Sequence, residues 1–249
     1  MITAFYSKTH IGARKNNQDA LLALLNAGPF EGLFAVADGL GGHSGGEQAS
    51  RIALEVLSEM VNKIKKLPND LDGEKFLFNC ALSANERVYR RNLEEPSLNG
   101  MATTLTAAAF SGDFCFIAHV GDSRAYFGSL DGEIKQATND HSYVADLMRK
   151  GIINSDEAAT HRKRNMLTDA LGISETVKID SLTLDLSTNE FSFAVLCSDG
   201  LYNAVLESKI ADIALNSPEP AEELIKTANE VGETDNISAI VIKFLEKAS

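Results

Sequence analysis

Two stretches far apart in the chain end an apolar run on the same pair of residues: LFAVADG at 33–39 and AVLCSDG at 194–200. Each run has the length of a strand buried on both faces. Each carries an aspartate, Asp38 or Asp199, to the strand's end, with Gly39 or Gly200 behind it. Any fold for this chain must bury both strands and decide whether their acidic ends meet. Further glycines stand at 41, 42, 45 and 46, and a helical pattern begins at Glu47. Strand, acid, glycine-rich turn and helix together describe backbone that must approach something closely.

Two more acids flank strand-like runs: Asp122 in HVGDSR (119–124) and Asp235 just before the closing run. Asp, Gly and Asn are also the commonest turn residues, so four unrelated turns is the competing reading. If the fold gathers the four, the carboxylates repel in a partly desolvated site and raise one another's pKa. They remain ionised together only with cations among them, and oxygen donors of this kind select Mg²⁺ or Mn²⁺ rather than Zn²⁺. The histidines at 10, 43, 119, 141 and 161 have no HExxH spacing and read as surface or core residues.

The remaining pattern is mixed. Strands are expected at 3–6, after the polar turn ARKNNQD, at 101–110, 114–120 and 125–127, then at 177–184, 190–197 and in the final ISAIVIKFL. Helical periods cover 51–67, stopped by Pro68 and Asn69, then 74–92, 206–215 and 221–231. The segment 138–171 is polar with short helical pieces at 143–150 and 156–159, and reads as a surface excursion. No linker or repeat divides the 249 residues, so one domain over 1–249 is expected.

A net charge of −12 argues against a nucleic-acid-binding surface. Cys80, Cys115 and Cys197 are scattered, which suits a reducing compartment and buried, inert thiols. No stretch resembles a signal peptide or a ~20-residue membrane span, so a cytoplasmic protein without membrane contact is expected.

The ordered set RKNNQD, VADGLGGHSGGEQAS, MATTLT, HVGDSRAY, TNDHS, LTDALG, LCSDGL and TDNIS resembles the metal-dependent PP2C-type (PPM) serine/threonine phosphatases, particularly their compact bacterial members. The likeness runs from about Gly12 to the final strand. No one motif decides it, but eight in order are specific. It implies an α+β fold, a four-layer αββα sandwich of two antiparallel sheets flanked by helices, with two to three Mn²⁺ or Mg²⁺ ions in a cleft at one end. By that resemblance Asp38 bridges two ions and Gly39 offers its carbonyl to one. Asp199 and Asp235 complete the shell of the first of these ions, and Asp122 holds a third, weaker one. Arg14 clamps the substrate phosphate, with Gln18, Asp19 and Asn236 outside the ligands.

The implied reaction is hydrolysis of phosphoserine and phosphothreonine by a metal-bridging water, with no phosphoenzyme and no catalytic cysteine. The implied partners are phosphoprotein substrates and a cognate bacterial Ser/Thr kinase, by analogy only. A monomer is expected, with 138–171 as a flap governing substrate choice. Two departures stand out. Gln18 replaces the glutamate of many members, so weaker binding of the second ion is expected. Leu40 stands where eukaryotic members carry a histidine proposed as general acid, and His43 nearby is read as structural.

Three rivals remain. Residues 42–46 match G-x-S-x-G, which would make Ser44 an esterase nucleophile. Too few strands precede it, however, and no histidine follows His161. A catalytically dead phosphatase-like scaffold would have no use for repelling acids. Nucleotide binding lacks both G-K-[ST] and a strict G-x-G-x-x-G.

Overall fold

Strands buried on both faces sort their side chains by parity, and here parity separates three apolar layers. Along β3 (Phe30–Leu40), Leu33, Ala35 and Ala37 enter one cluster while Phe34 and Val36 enter another. Along β10 (Phe193–Cys197), Phe193, Val195 and Cys197 join a third cluster, and Ala194 and Leu196 share the second with β3. The shared cluster is therefore the seam between two sheets, and the other two lie on their outer faces.

The computed structural model describes residues 2–41, 45–67, 72–98, 100–188 and 191–244. One sheet runs β1 (Ile2–His10), β11 (Ile237–Phe244), β10, β7 (Arg124–Gly128), β8 (Ile134–Gln136). The other runs β2 (Asp19–Ala27), β3, β5 (Leu105–Ser111), β6 (Phe114–Val120), β9 (Asp180–Asp185), with β4 (Ala102–Thr103) also on β3. Every ladder is antiparallel. The helices α1 (Gly45–Lys63) and α2 (Asp72–Glu94) bury Leu57, Val61, Leu77 and Ala84 against the β3 sheet. On the opposite side, α6 (Glu207–Asn216) and α7 (Pro220–Glu230) bury Ile210, Ile213, Leu224 and Ile225 against the β10 sheet. The order helix, sheet, sheet, helix is the expected αββα sandwich, and its wholly antiparallel sheets do not suit an α/β-hydrolase.

Several boundaries shift. The helical pattern expected from Glu47, with its apolar period over 51–67, begins at Gly45 and ends at Lys63, because Gly45 and Gly46 pack as its buried first turn. Pro68 and Asn69, expected to stop it, lie outside the described residues, as do His43, Ser44 and Glu190. The strand expected over 101–110 is drawn as β4 and β5 with Thr104 between them, yet one register runs through both: Gly39↔Thr103 and Val36↔Thr106. The segment 138–171 is no pure surface excursion. It contains α3 (Tyr143–Arg149) and α4 (Ser155–Thr160), and Thr138, His141, Ser142, Ala170 and Leu171 are buried at its two stems. All three cysteines are buried and free. Among the described residues no helix is long and apolar enough to cross a membrane.

Candidate active site

Register carries the acids to one end of the sandwich. The β2–β3 hairpin closes on the two-residue Gly28-Pro29 loop with Ala27↔Phe30, and the same register sets Asp19 directly opposite Asp38. In the other sheet the β7–β10 ladder ends on Arg124↔Cys197, so Asp122 and Asp199 leave it on the same side. The β10–β11 ladder ends on Cys197↔Ala239 and is prolonged by Ser198 N–H donating to Ser238 O at 3.1 Å, with Asp235 just before β11.

The two Asp-Gly pairs use their glycines alike. A Cβ on Gly39 would lie 2.0 Å from Gly46 O, and one on Gly200 would lie 2.2 Å from Asn236 O. Each glycine lets a neighbouring backbone close on the strand end that carries the acid. Asp199 itself opens the one-turn helix α5 (Asp199–Tyr202).

Neutral groups hold the Asp38 backbone and the Asp19 carboxylate. The Asp38 N–H donates to Thr104 Oγ1 at 2.9 Å, and Asp38 O accepts from Thr104 N–H at 2.8 Å and Thr103 Oγ1 at 3.0 Å. Thr104 Oγ1 is in turn 2.7 Å from Ser123 Oγ, beside Asp122. Ser198 Oγ donates to Asp19 Oδ2 at 2.7 Å, while Asp19 Oδ1 is buried with no hydrogen-bond partner. Asn236 works on the backbone: its Nδ2 donates to Ile11 O at 2.8 Å and Asn16 O at 3.1 Å, and its Oδ1 accepts from Gln18 N–H at 2.8 Å. It thereby ties the start of β11 to the loop that carries Arg14. Gln18 lies in the same loop, its Nε2 3.4 Å from Gly41 O.

The electrostatics follow from this crowding. Burial holds Asp38 well above the usual carboxylate range, with Asp19, Asp199, Asp122 and Asp235 adding repulsion. Burial, then Asp122 and Asp235, pushes Asp199 up to about 8. Burial and Asp140 push Asp122 up to about 7. Burial also raises Asp19, which is only 8% exposed, against the hydrogen bond from Ser198. The cation paired with any of these five among the described residues is Arg14, whose Nη2 donates to Asp235 Oδ2 at 2.7 Å. That contact raises the Arg14 pKa in return.

Among the described residues, no three of these side chains stand close enough to form a ready-made coordination shell. The donor set nevertheless fits hard divalent cations. It is all oxygen, it repels itself, and it contains the orphaned Asp19 Oδ1. Like charges placed directly across a ladder, as at Asp19 and Asp38, are destabilising without a counter-ion.

Sequence reasoning gave no individual role to Thr104, Ser123 and Ser198, the hydroxyls that brace the acids, or to His141. The His141 Nε2 is 3.0 Å from Asp180 Oδ2, and its Nδ1 accepts from Gly121 N–H at 3.3 Å, fixing the turn before Asp122. A usable signal for the Asp19–Asp38 pairing was present. The Gly28-Pro29 loop between two apolar runs fixes that register by counting outward.

Comparisons with known proteins agree with this geometry. The family model described as Protein phosphatase 2C matches residues 7–246. The serine/threonine phosphatase stp of Listeria welshimeri is 34% identical over 238 residues, covering 92% of this chain and 91% of the relative. The crystal structure of serine/threonine phosphatase Stp1 from Staphylococcus aureus superposes with a TM-score of 0.91 at 30% identity, over 99% of this chain and 96% of that one. The catalytic domain of the serine/threonine protein phosphatase PstP, in complex with 2 manganese ions, superposes with a TM-score of 0.81 at 29% identity, over 98% of both chains. With its αββα fold and its acids at one end, this chain belongs to the protein phosphatase 2C family, in the compact bacterial branch, and is a protein phosphatase.

Proposed function

We propose that the protein hydrolyses phosphoserine and phosphothreonine in other proteins at the acid-lined end of the sandwich, using two to three Mn²⁺ or Mg²⁺ ions. The observation that carries this reading is the gathering of five carboxylates at one end of the sandwich, where burial and neighbouring acids raise Asp19, Asp38, Asp122 and Asp199, with Arg14 as the paired cation. Asp38, Asp199 and Asp235 with the carbonyl of Gly39 would hold two of the ions, and Asp122 a third. When bound, such ions lower the pKa of water from ~15.7 toward neutrality and so supply the nucleophile.

The chain's own residues do the positioning. Arg14 is 58% exposed at its side chain and its fork suits two phosphate oxygens, so it binds and orients the phosphoryl group and offsets charge developing on it. Asn236 keeps the Arg14 loop against the acids, Thr104 with Ser123 behind it fixes the Asp38 backbone, and Ser198 holds the Asp19 carboxylate. Asp19 and Gln18 lie just outside as acceptors for the hydration of the site. No cysteine takes part, since burial raises all three thiols.

The same reading makes residues 1–249 one phosphatase domain, cytoplasmic and monomeric, opposing a cognate Ser/Thr kinase, with 138–171 beside the cleft as the segment that governs substrate choice. The test is release of phosphate from a phosphothreonine peptide with Mn²⁺, with EDTA, and in Asp38→Ala and Asp199→Asn. Activity only in the metal-loaded parent is expected; activity that survives chelation and both substitutions overturns the reading.

A further inference from the structure

The charge of this chain is strongly negative, yet one loop departs from it. Between Glu157 and Asp169 the sequence AATHRKRNMLT contains no acid and three consecutive cations, Arg162, Lys163 and Arg164. All three are exposed. Most arginines elsewhere sit in ion pairs, as Arg87 does with Glu59 and Arg149 with Asp146. Among the described residues none of these three has a carboxylate partner.

The loop also has shape. Residues 160–166 line a shallow depression of about 470 Å³. Its backbone is turned by Arg164 N–H donating to His161 O at 3.0 Å and Met166 N–H donating to Lys163 O at 3.1 Å. Lys163 Nζ lies 4.7 Å from the centroid of the Tyr143 ring, and that ring lies 5.7 Å from the His161 ring. Aromatic contacts of this kind limit the freedom of a lysine without neutralising it.

Position makes the charge meaningful. Both stems of the loop are tied to the turn that carries Asp122. Thr168 N–H donates to His141 O at 2.9 Å, Tyr143 N–H donates to Met166 O at 2.8 Å, and His141 N–H donates to Gly121 O at 2.7 Å. Arg164 stands four positions before Thr168, so at most about 14 Å of chain separates it from that stem. An extended substrate peptide covers the same distance in about four residues.

We propose that Arg162, Lys163 and Arg164 form an anion subsite for the phosphoprotein substrate. It receives a second negative side chain, a phosphorylated residue or a carboxylate, about three to five residues from the phosphate being removed. This rests on the phosphatase reading above and names its substrate class: acidic or multiply phosphorylated segments. A protein of net charge −12 repels such substrates at long range. A local basic loop beside the cleft turns that repulsion into orientation, since other surfaces disfavour the acidic side chain.

The test uses the full chain loaded with Mn²⁺ and four substrates: p-nitrophenyl phosphate, a phosphothreonine peptide with neutral flanks, and the same peptide with a glutamate or a second phosphothreonine four residues away on either side. The variant carries Arg162→Gln, Lys163→Gln and Arg164→Gln together, with its circular dichroism and melting temperature compared with the parent's. The parent is expected to prefer the acidic peptides. The variant should lose about tenfold in kcat/KM on them, mostly through KM, and stay within about twofold on p-nitrophenyl phosphate and the neutral peptide. Raising the salt concentration should erode the same preference. A larger effect with the second phosphothreonine than with glutamate identifies phosphate as the anion sought, and the reverse identifies a carboxylate. Equal losses on all substrates, or no loss on any, overturn the subsite. A parent that hydrolyses all of them without preference overturns the subsite alone, and a parent that hydrolyses none overturns the phosphatase reading together with it.

Discussion

Asp140 and Asp122 are neighbours in one molecule, and they differ in the counter-ion that each is given. Asp140 accepts from Arg124 Nε at 3.0 Å, from Arg124 Nη2 at 2.8 Å and from Gln136 Nε2 at 2.8 Å. The Arg124 guanidinium lies 3.6 Å over the Tyr202 ring and donates to Tyr126 OH at 2.9 Å. Burial works against the Arg124 charge, yet Asp140 more than offsets it and raises the pKa. Among the described residues Asp122 is paired with no such fork, and burial with Asp140 beside it pushes its pKa up to about 7. Where the fold uses the half-buried carboxylate of Asp140 for architecture it supplies the counter-ion from within. Where it gathers Asp19, Asp38, Asp122, Asp199 and Asp235, the ion pair found among the described residues is that of Arg14 with Asp235, which leaves the room that external cations require.

The strongest way to break this contrast is Asp199→Asn. Metal-dependent phosphatase activity should fall at least about a thousandfold, while the melting temperature of the chelated protein should hold or rise because a repelling charge is gone. A chelated variant that melts well below the parent would make Asp199 structural, like Asp140. Next in size, Arg124→Gln should strand Asp140 and destabilise the protein by roughly 3 kcal/mol in urea unfolding. A loss near zero would remove the distinction between the two regions. Arg14→Ala should lower kcat/KM on a phosphothreonine peptide by about a hundredfold, with little change in the urea midpoint. The opposite split would make its contact with Asp235 the purpose of Arg14.

A pH series sharpens the comparison further. The folded pKa values of about 8 for Asp199 and about 7 for Asp122 exceed an unfolded value of ~3.9. The chelated folded state therefore binds protons that the unfolded chain has lost. The resulting stability is fully present below about pH 4 and is lost as pH rises through 7 to 8. The melting temperature of chelated protein should thus fall between pH 6 and pH 8, and saturating Mn²⁺ should flatten the trend. The smallest effect expected is that of Gln18→Glu, which should tighten apparent Mn²⁺ affinity by about threefold through one added charge. An unchanged titration would mean that the glutamine costs the site nothing.

Much of this was legible beforehand, for identifiable reasons. Asp38 and Asp199 were conspicuous because apolar runs ended on them, and β6 was read at Phe114–Val120 residue for residue because a short apolar run is bounded there by turn residues. The three-residue strand β8 was missed because Ile134–Gln136 is too short to show a period. The buried first stem of 138–171 was missed because its anchors, Thr138, His141 and Ser142, are polar and hold through hydrogen bonds rather than apolar contact.

Taken alone, the amino-acid sequence determined the strands and their parity, the Asp-Gly ends, the order of the motifs and, through the Gly28-Pro29 loop, the register that sets Asp19 against Asp38. All of these depend on neighbours within a few residues or on counting along one hairpin. Only the tertiary structure decided which carboxylate receives an arginine, which hydroxyls brace the acids, and where the basic loop emerges. Arg124 and Asp140 are sixteen positions apart, Ser198 and Asp19 179, and Arg14 and Asp235 221. Contacts at such separations follow from how the two sheets stack and where their ladders end, and no local pattern in the chain records that.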